Sequence, residues 1–405
     1  MAQETPAWLN VCFVEKILRK SEGDNSIQVI DIFSKPATAK GDNYTSDMIR
    51  VTAEFSRDQG RKTEKKSIIV KVSPIVEGVR QELIEQSGIF KVEILMMSDT
   101  LDKMNKLLGP KHRISGKGLY VQNANPTLLV IEDLAPLGFR MADRLAGLDL
   151  AHCILALRGI ARFHAASVAL CEKEPNQKTM YNQGGMFSDQ HPPEMGAFFT
   201  MSVKGLAEEI ATWPGMKKYA DKIAKLTDEI YQIGINAAKM SEDEFNVINH
   251  GDMWVNNMLF KYDNDGKPVE HIFVDFQMCV YTSPALDLLY FISTSPSPDI
   301  IENKRDILLN EYLGTLSATM AQLNCKTQPP TMEELKATMK RRASYGMIAS
   351  FSVLPMVLCC KSEVKDLDEL MSKDNFSNPG FKSESYKKLM MKRLPLYDEW
   401  GLLDP

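Results

Sequence analysis

At 405 residues the chain has room for two or three structural units, and its formal net charge of −5 excludes the basic surplus that a nucleic-acid-binding surface needs. An apolar share of 44% and a charged share of 25% are those of a globular protein with a sizeable core. Met1–Pro6 carries no basic and apolar leader, and no window is read as reaching the ~18 apolar residues that cross a bilayer, so a cytoplasmic protein with no membrane partner is expected.

In chain order, the stretch 36–46 reads as a loop of small and polar residues. Ile49, Val51, Ala53 and Phe55 then alternate with Arg50, Thr52 and Glu54, the period-two pattern of a half-buried strand, and 67–72 forms a second strand. Over 79–108 the apolar residues Ile89, Val92, Leu95 and Met96 recur at helical spacing, which predicts one helix stopped by Gly109-Pro110. An apolar strand over 128–134 runs into Ala135-Pro136-Leu137-Gly138, and the interlobe hinge is expected across 130–138. From 149 to 170, Leu150, Ile154, Leu157, Ala161, His164 and Val168 share one helical face, as in the central helix of a helical lobe. A long loop follows through Gln183-Gly184-Gly185 and His191-Pro192-Pro193, with further helices expected over 201–212, 216–240, 303–323 and 332–358. The seven cysteines are odd in number and scattered, so reduced thiols are expected rather than disulfides or a zinc site. The fold expected is α+β and two-lobed, with a small β-rich lobe at 1–134 and a mostly helical lobe at 135–405 that carries a hairpin over 248–277.

That hairpin holds the densest chemistry. His250-Gly251-Asp252 is followed by Asn257, and the apolar strand Ile272-Phe273-Val274 delivers a second carboxylate, Asp275. An aspartate, an asparagine five positions later and a second aspartate on a neighbouring strand are the parts that phosphoryl transfer needs: a carboxylate to orient the acceptor hydroxyl and take its proton, and two oxygen ligands for Mg²⁺ beside ATP. Asp252 takes the first role in this reading, and Asn257 and Asp275 the second, with His250 bracing the loop. Asp263-Asn264-Asp265-Gly266 is the hairpin turn; as a calcium loop its glycine is misplaced. Asp287 is expected either to accept hydrogen bonds from the loop backbone or to serve as a helix N-terminal carboxylate.

Lys71, alone at the end of an apolar strand, would reach the α- and β-phosphates of ATP if a glutamate of the following helix held its ammonium. Glu93 is the chosen partner, with Glu82 and Glu85 in the same segment also in reach. The loop at Gly41-Asp42-Asn43-Tyr44-Thr45-Ser46 would fold over the phosphates and offer backbone N–H groups and the Ser46 or Thr45 hydroxyl; an ordinary polar turn fits its single glycine as well.

Taken together, Gly41-Asp42-Asn43-Tyr44 with Ser46, Phe90 with Glu93, Glu132-Asp133-Leu134, Phe163-His164-Ala165, His250-Gly251-Asp252-x-Trp254-x-x-Asn257 and Val274-Asp275-Phe276-Gln277 resemble the ecdysteroid-kinase-like group of insect proteins, also called CHK kinase-like, which is related to choline and aminoglycoside kinases. The resemblance spans the chain, and its last two motifs are the specific ones. It implies a protein-kinase-like fold and ATP-dependent phosphorylation of a small-molecule hydroxyl, with ecdysteroids as the named substrate class. Carried over by residue, it makes Asp252 the catalytic aspartate, Asn257 and Asp275 the metal ligands, Lys71 and Glu93 the phosphate-positioning pair, and Glu132 to Leu134 the adenine-binding hinge, with Gly41, Asn43 and Ser46 beside the nucleotide.

The acceptor class also follows from what is missing. Only about a dozen residues separate Asp275 from Asp287, where protein kinases insert a peptide-binding segment closed by Ala-Pro-Glu. A small molecule is therefore the expected acceptor, and the near balance of acidic and basic residues over 361–405 favours an uncharged one; the resemblance adds an ecdysteroid, or a related steroid or xenobiotic alcohol, as its class. Two other readings stay open: a catalytically silent nucleotide- or hormone-binding protein on the same fold, and a choline-type kinase, for which Tyr397-Asp398-Glu399-Trp400 is the local candidate for an aromatic and acidic cage.

Overall fold

The computed structural model describes residues 5–58, 60, 62–74, 79–371, 376 and 378–404, so the first four residues, read above for a leader, lie outside it. A five-stranded antiparallel sheet is built first, in the spatial order β1-β2-β3-β5-β4. Its strands are β1 (Gln28–Pro36), β2 (Asp47–Ser56), β3 (Thr63–Val72), β4 (Gly118–Gln122) and β5 (Leu128–Glu132). The alternation of side chains gives the sheet two different faces. Val51, Ala53 and Phe55 of β2, Ile68, Val70 and Val72 of β3, and Leu128 and Val130 of β5 are buried on the outer face against Val14, Ile17 and Leu18 of the helix Val11–Glu22. That helix starts where the Asn10 side chain accepts the Phe13 amide proton at 3.0 Å and ends at Gly23, which takes the left-handed conformation (φ 65°). Pairing of Met48 with Lys71 and of Arg50 with Ile69 puts the intervening side chains of β2 and β3 on the other face, toward a cleft.

The single helix expected over 79–108 is broken. Gly88, at φ 68°, separates Val79–Ser87 from Ile89–Leu95, and the second piece continues through a π-helical turn at Met96–Thr100 into Leu101–Leu108. The apolar spacing that predicted one helix survives the break, because only residues 89–108 keep a continuous axis. Similarly, 216–240 divides into Lys217–Leu226 and Ile230–Ala238, and 332–358 into Met332–Arg341, Ala343–Ser352 and Leu354–Leu358. Helix Val11–Glu22 and strands β1 and β4 were not anticipated.

The helical lobe is organised around Leu150–Lys173, capped by the Asp149 carboxylate on the His152 amide. By length and composition this helix would cross a membrane, contrary to the sequence expectation, but 78% of its apolar window is buried inside the protein. It is a core helix, packed between Arg305–Gln322 on one side and two small sheets on the other. One of these sheets pairs β6 (Val247–Asn249) with β9 (Val280–Thr282), and the other is the hairpin of β7 (Met258–Tyr262) and β8 (Pro268–Phe273).

Close approach of helix and hairpin depends on Gly159. A Cβ there would lie 2.6 Å from Nδ1 of His271, whose ring is wedged between Phe260 and Phe273 and cannot retreat. Burial keeps this imidazole neutral, pushing its pKa down to about 3. Gly159→Ala is therefore expected to lower stability by roughly 1–3 kcal/mol, as overpacking does, read as a drop in the midpoint of thermal or urea unfolding.

Candidate active site

The site begins with Lys71 on the cleft face of β3. Its side chain is 2% exposed, and burying an ammonium without counter-charge would be prohibitive. Two carboxylates supply that charge: Glu93 Oε2 lies 2.6 Å from Nζ, and Asp275 Oδ1 lies 2.8 Å away. Burial opposes the charge on Lys71, yet Asp275 and Glu93 outweigh it and hold the ammonium above its ordinary range. Glu93 stands on Ile89–Leu95, the helix segment that begins after Gly88, whereas Glu82 and Glu85 are exposed. Its second oxygen accepts the Phe276 amide at 3.1 Å, so one side chain joins the strand lysine to the chain just beyond Asp275.

Asp275 does not sit on the returning strand, as its apolar flank implied. Strand β8 ends at Phe273, the Val274 amide bonds to the Asn257 carbonyl at 3.1 Å, and Asp275 itself adopts φ 63°. A left-handed non-glycine residue costs of the order of 1 kcal/mol or more. The turn swings its carboxylate out of the pleat and onto Lys71.

Asp252 follows a loop whose backbone is tied down by another buried carboxylate. Asp287, in the first turn of Ala285–Thr294, accepts the His250 amide at 2.8 Å and the Gly251 amide at 2.9 Å, and is itself fixed by His164 Nε2 at 2.8 Å, whose Nδ1 meets the Tyr312 hydroxyl. His250 does brace the loop: Nε2 donates to the Val274 carbonyl at 2.9 Å and Nδ1 accepts the Asp252 amide at 3.3 Å. Gly251 has φ 82°, and a Cβ there would come within 1.8 Å of the Met278 carbonyl oxygen, so only glycine fits. The Asp252 carboxylate accepts Asn257 Nδ2 at 2.9 Å on Oδ2 and the Tyr290 hydroxyl on Oδ1. Burial, reinforced by the nearby charge of Asp275, pushes its pKa up to about 7 from the ordinary carboxylate range, against the pull of these two donors and of Lys71.

Between the sheet and the helical lobe these groups open into a cleft of about 280 Å³. One end is apolar, with Ile69, Met97, Ile131, Leu134 and Phe139, and the other presents Lys71, Glu93, Asn257 and Asp275. The cleft thus joins an apolar wall to a polar region where Lys71 is held between two acids, and Arg50, paired with Asp133, lines it as well.

The sequence profile of the ecdysteroid kinase-like family matches residues 40–325, more than half of the chain. The chain belongs to the ecdysteroid kinase-like family. Membership points to kinase-type phosphoryl transfer and leaves the acceptor open. Among solved structures the family member is similar to that of a candidate aminoglycoside phosphotransferase from Ralstonia eutropha, with 12% identity, coverage of 95% of this chain and 97% of that chain, and a TM-score of 0.47. A comparison with curated proteins finds no match.

Of the residues singled out from the sequence, Lys71, Glu93 and Asp275 are in direct contact, and Asn257 joins Asp252. Glu132 and Leu134 line the cleft, as does Asn43. Gly41 and Ser46 do not line it: the Gly41 carbonyl accepts Asn256 Nδ2 at 3.1 Å, and the buried Ser46 hydroxyl accepts Asn43 Nδ2 at 2.9 Å. The Ser46 hydroxyl oxygen thus accepts a bond inside its own turn, while the Thr45 hydroxyl accepts Gln277 Nε2 at 2.8 Å.

The donor set suits a hard divalent cation. Asn257 uses its amide nitrogen on Asp252, leaving Oδ1, and Asp275 retains Oδ2 beyond its contact with Lys71. Among the described residues no cluster of three or more His, Cys, Asp and Glu side chains is placed to hold a metal ion. Sequence reasoning missed Tyr290, one helical turn after Asp287, and the cleft walls Met97, Phe139 and Leu259, which only tertiary folding brings together.

The raised pKa of Asp252 has a thermodynamic sign. The folded chain retains a proton between the ordinary carboxylate pKa and about 7 that the unfolded chain releases, so this group's contribution to stability falls as pH rises through that window. Asp252→Asn removes the liability, and its melting temperature relative to the parent is expected to be higher by a few degrees more at pH 8 than at pH 5, as read by calorimetry at both values.

Proposed function

We propose that this chain transfers the γ-phosphoryl group of ATP to a hydroxyl of a small molecule, with an ecdysteroid or a related steroid or xenobiotic alcohol as the acceptor. The observation that carries this reading is the buried contact of Lys71 with Glu93 and Asp275 at the polar end of an apolar slot, beside the loop that presents Asp252. Adenine would lie against Ile69, Ile131 and Leu134, next to the Glu132 to Leu134 hinge. Lys71 would donate to the α- and β-phosphate oxygens, with Glu93 limiting its swing. Asn257 and Asp275 would hold Mg²⁺, whose chemistry there is to neutralise charge on the phosphates.

Asp252 would accept a hydrogen bond from the acceptor hydroxyl and take its proton as the new oxygen–phosphorus bond forms and the bond to the β-phosphate oxygen breaks. Its proton affinity is raised enough to hold the transferred proton yet low enough to be ionised at neutral pH. The short path from Asp275 to Ala285–Thr294, part of it taken by β9 pairing with β6, supports a small acceptor, since it leaves little room for a peptide platform. The steroid preference rests on the family's name alone.

The test is phosphate transfer from ATP with Mg²⁺ to a panel of steroid and xenobiotic alcohols, with mass spectrometry of the products. Asp252→Asn should lower kcat by about 10²–10⁴-fold, the usual cost of losing a general base. The acid limb of the parent's kcat profile should fall near pH 7, because the carboxylate must be ionised. The reading fails if no acceptor raises turnover and Asp252→Asn leaves phosphate release unchanged.

A further inference from the structure

The helix Ala285–Thr294 meets the catalytic loop twice. Asp287 binds its backbone, as described, and Tyr290, at the next position on the same helical face, sends its hydroxyl to Oδ1 of Asp252. Tyr290 is 2% exposed, and its ring packs beside that of Tyr345, at 6.4 Å between centroids, on Ala343–Ser352. A ring fixed in this way can present its hydroxyl in only one place. Asn257 meets the other carboxylate oxygen from the opposite side. We propose that Tyr290 is the positioning residue of the transfer: its hydroxyl fixes the rotamer of Asp252, so that the lone pairs left unoccupied face the incoming acceptor hydroxyl.

This inference rests on the proposed role of Asp252 as proton acceptor. A carboxylate on a short side chain has two soft torsions, and a base that rotates freely would sample orientations unable to reach the acceptor. Donors on both oxygens remove that freedom. A tyrosine serving only to fill the core would leave the Asp252 rotamer untouched when its hydroxyl is removed.

The decisive variant is Tyr290→Phe, which keeps the ring. With ADP formation from ATP and Mg²⁺ measured using water and ecdysone as the acceptors tried, kcat at pH 7 should fall roughly 10- to 100-fold, while KM for ATP should stay within twofold of the parent. A fluorinated tyrosine placed at position 290, which keeps the hydroxyl donor, should hold kcat near that of the parent and covers the case in which Tyr290→Phe folds poorly. Independently of any acceptor, a crystal structure of Tyr290→Phe should show the Asp252 side chain in a changed or divided rotamer with the loop backbone from His250 to Asn257 unmoved. An unchanged Asp252 rotamer, or kcat within twofold of the parent, overturns the inference. A parent that forms no ADP with any acceptor refutes the proposed function instead, and the Asp252 rotamer still decides the role of Tyr290.

Discussion

The buried ammonium of Lys71 is the constraint on which the rest of the site depends. It sits on the sheet of the small lobe, and its two carboxylate partners come from elsewhere: Glu93 from the helix that follows the sheet, and Asp275 from the far end of the hairpin in the helical lobe. Because a lone charge at that depth would be untenable, the three elements must assemble together or not at all. Shielded from solvent, the contact is little affected by salt, unlike the surface pair of Lys40 with Glu369 that also links the two halves of the chain.

A second layer of buried polar groups holds the loop in place without touching the cleft. His164 on the central helix, Tyr312 on Arg305–Gln322 and Asp287 form a chain of hydrogen bonds ending on the His250 and Gly251 amides. Each member is satisfied, so this network rigidifies the loop without adding an unpaired group of its own. The cleft surface can then be polar and incompletely paired, as a binding site must be, because its geometry is set from behind.

How much of this was readable from the chain varied with the range of the interactions. The aspartate, the asparagine and the second aspartate were legible because local spacing encodes the loop and the hairpin; the alternation at Ile49 to Phe55 encodes the strand, and Lys71 stood out as the one charge on an apolar run. The choice of Glu93 over Glu82 and Glu85 was correct as to contact, though nothing local decided it. The break at Gly88 was not legible, since one glycine barely disturbs an apolar period, nor was the left-handed turn at Asp275, where the apolar run simply looked like more strand. β1 escaped notice because it lies at the sheet edge with Ile30 and Phe33 exposed, so its pattern does not alternate cleanly between inside and outside. Tyr290 was hidden for a different reason: in an unbroken apolar helix a tyrosine reads as core, and only the folded loop reveals what its hydroxyl meets.

The left-handed backbone at Asp275 determines which replacements there can be interpreted. Asparagine shares aspartate's tolerance of that conformation and nearly its shape, so it removes the charge and leaves the turn intact. Alanine or a β-branched residue would pull the backbone back toward the strand region, displacing the Phe276 amide from Glu93 and the Val274 amide from Asn257. Any loss of activity would then mix electrostatics with a misplaced loop. The shape of the chain at this one residue thus separates substitutions that report on charge from those that report on architecture.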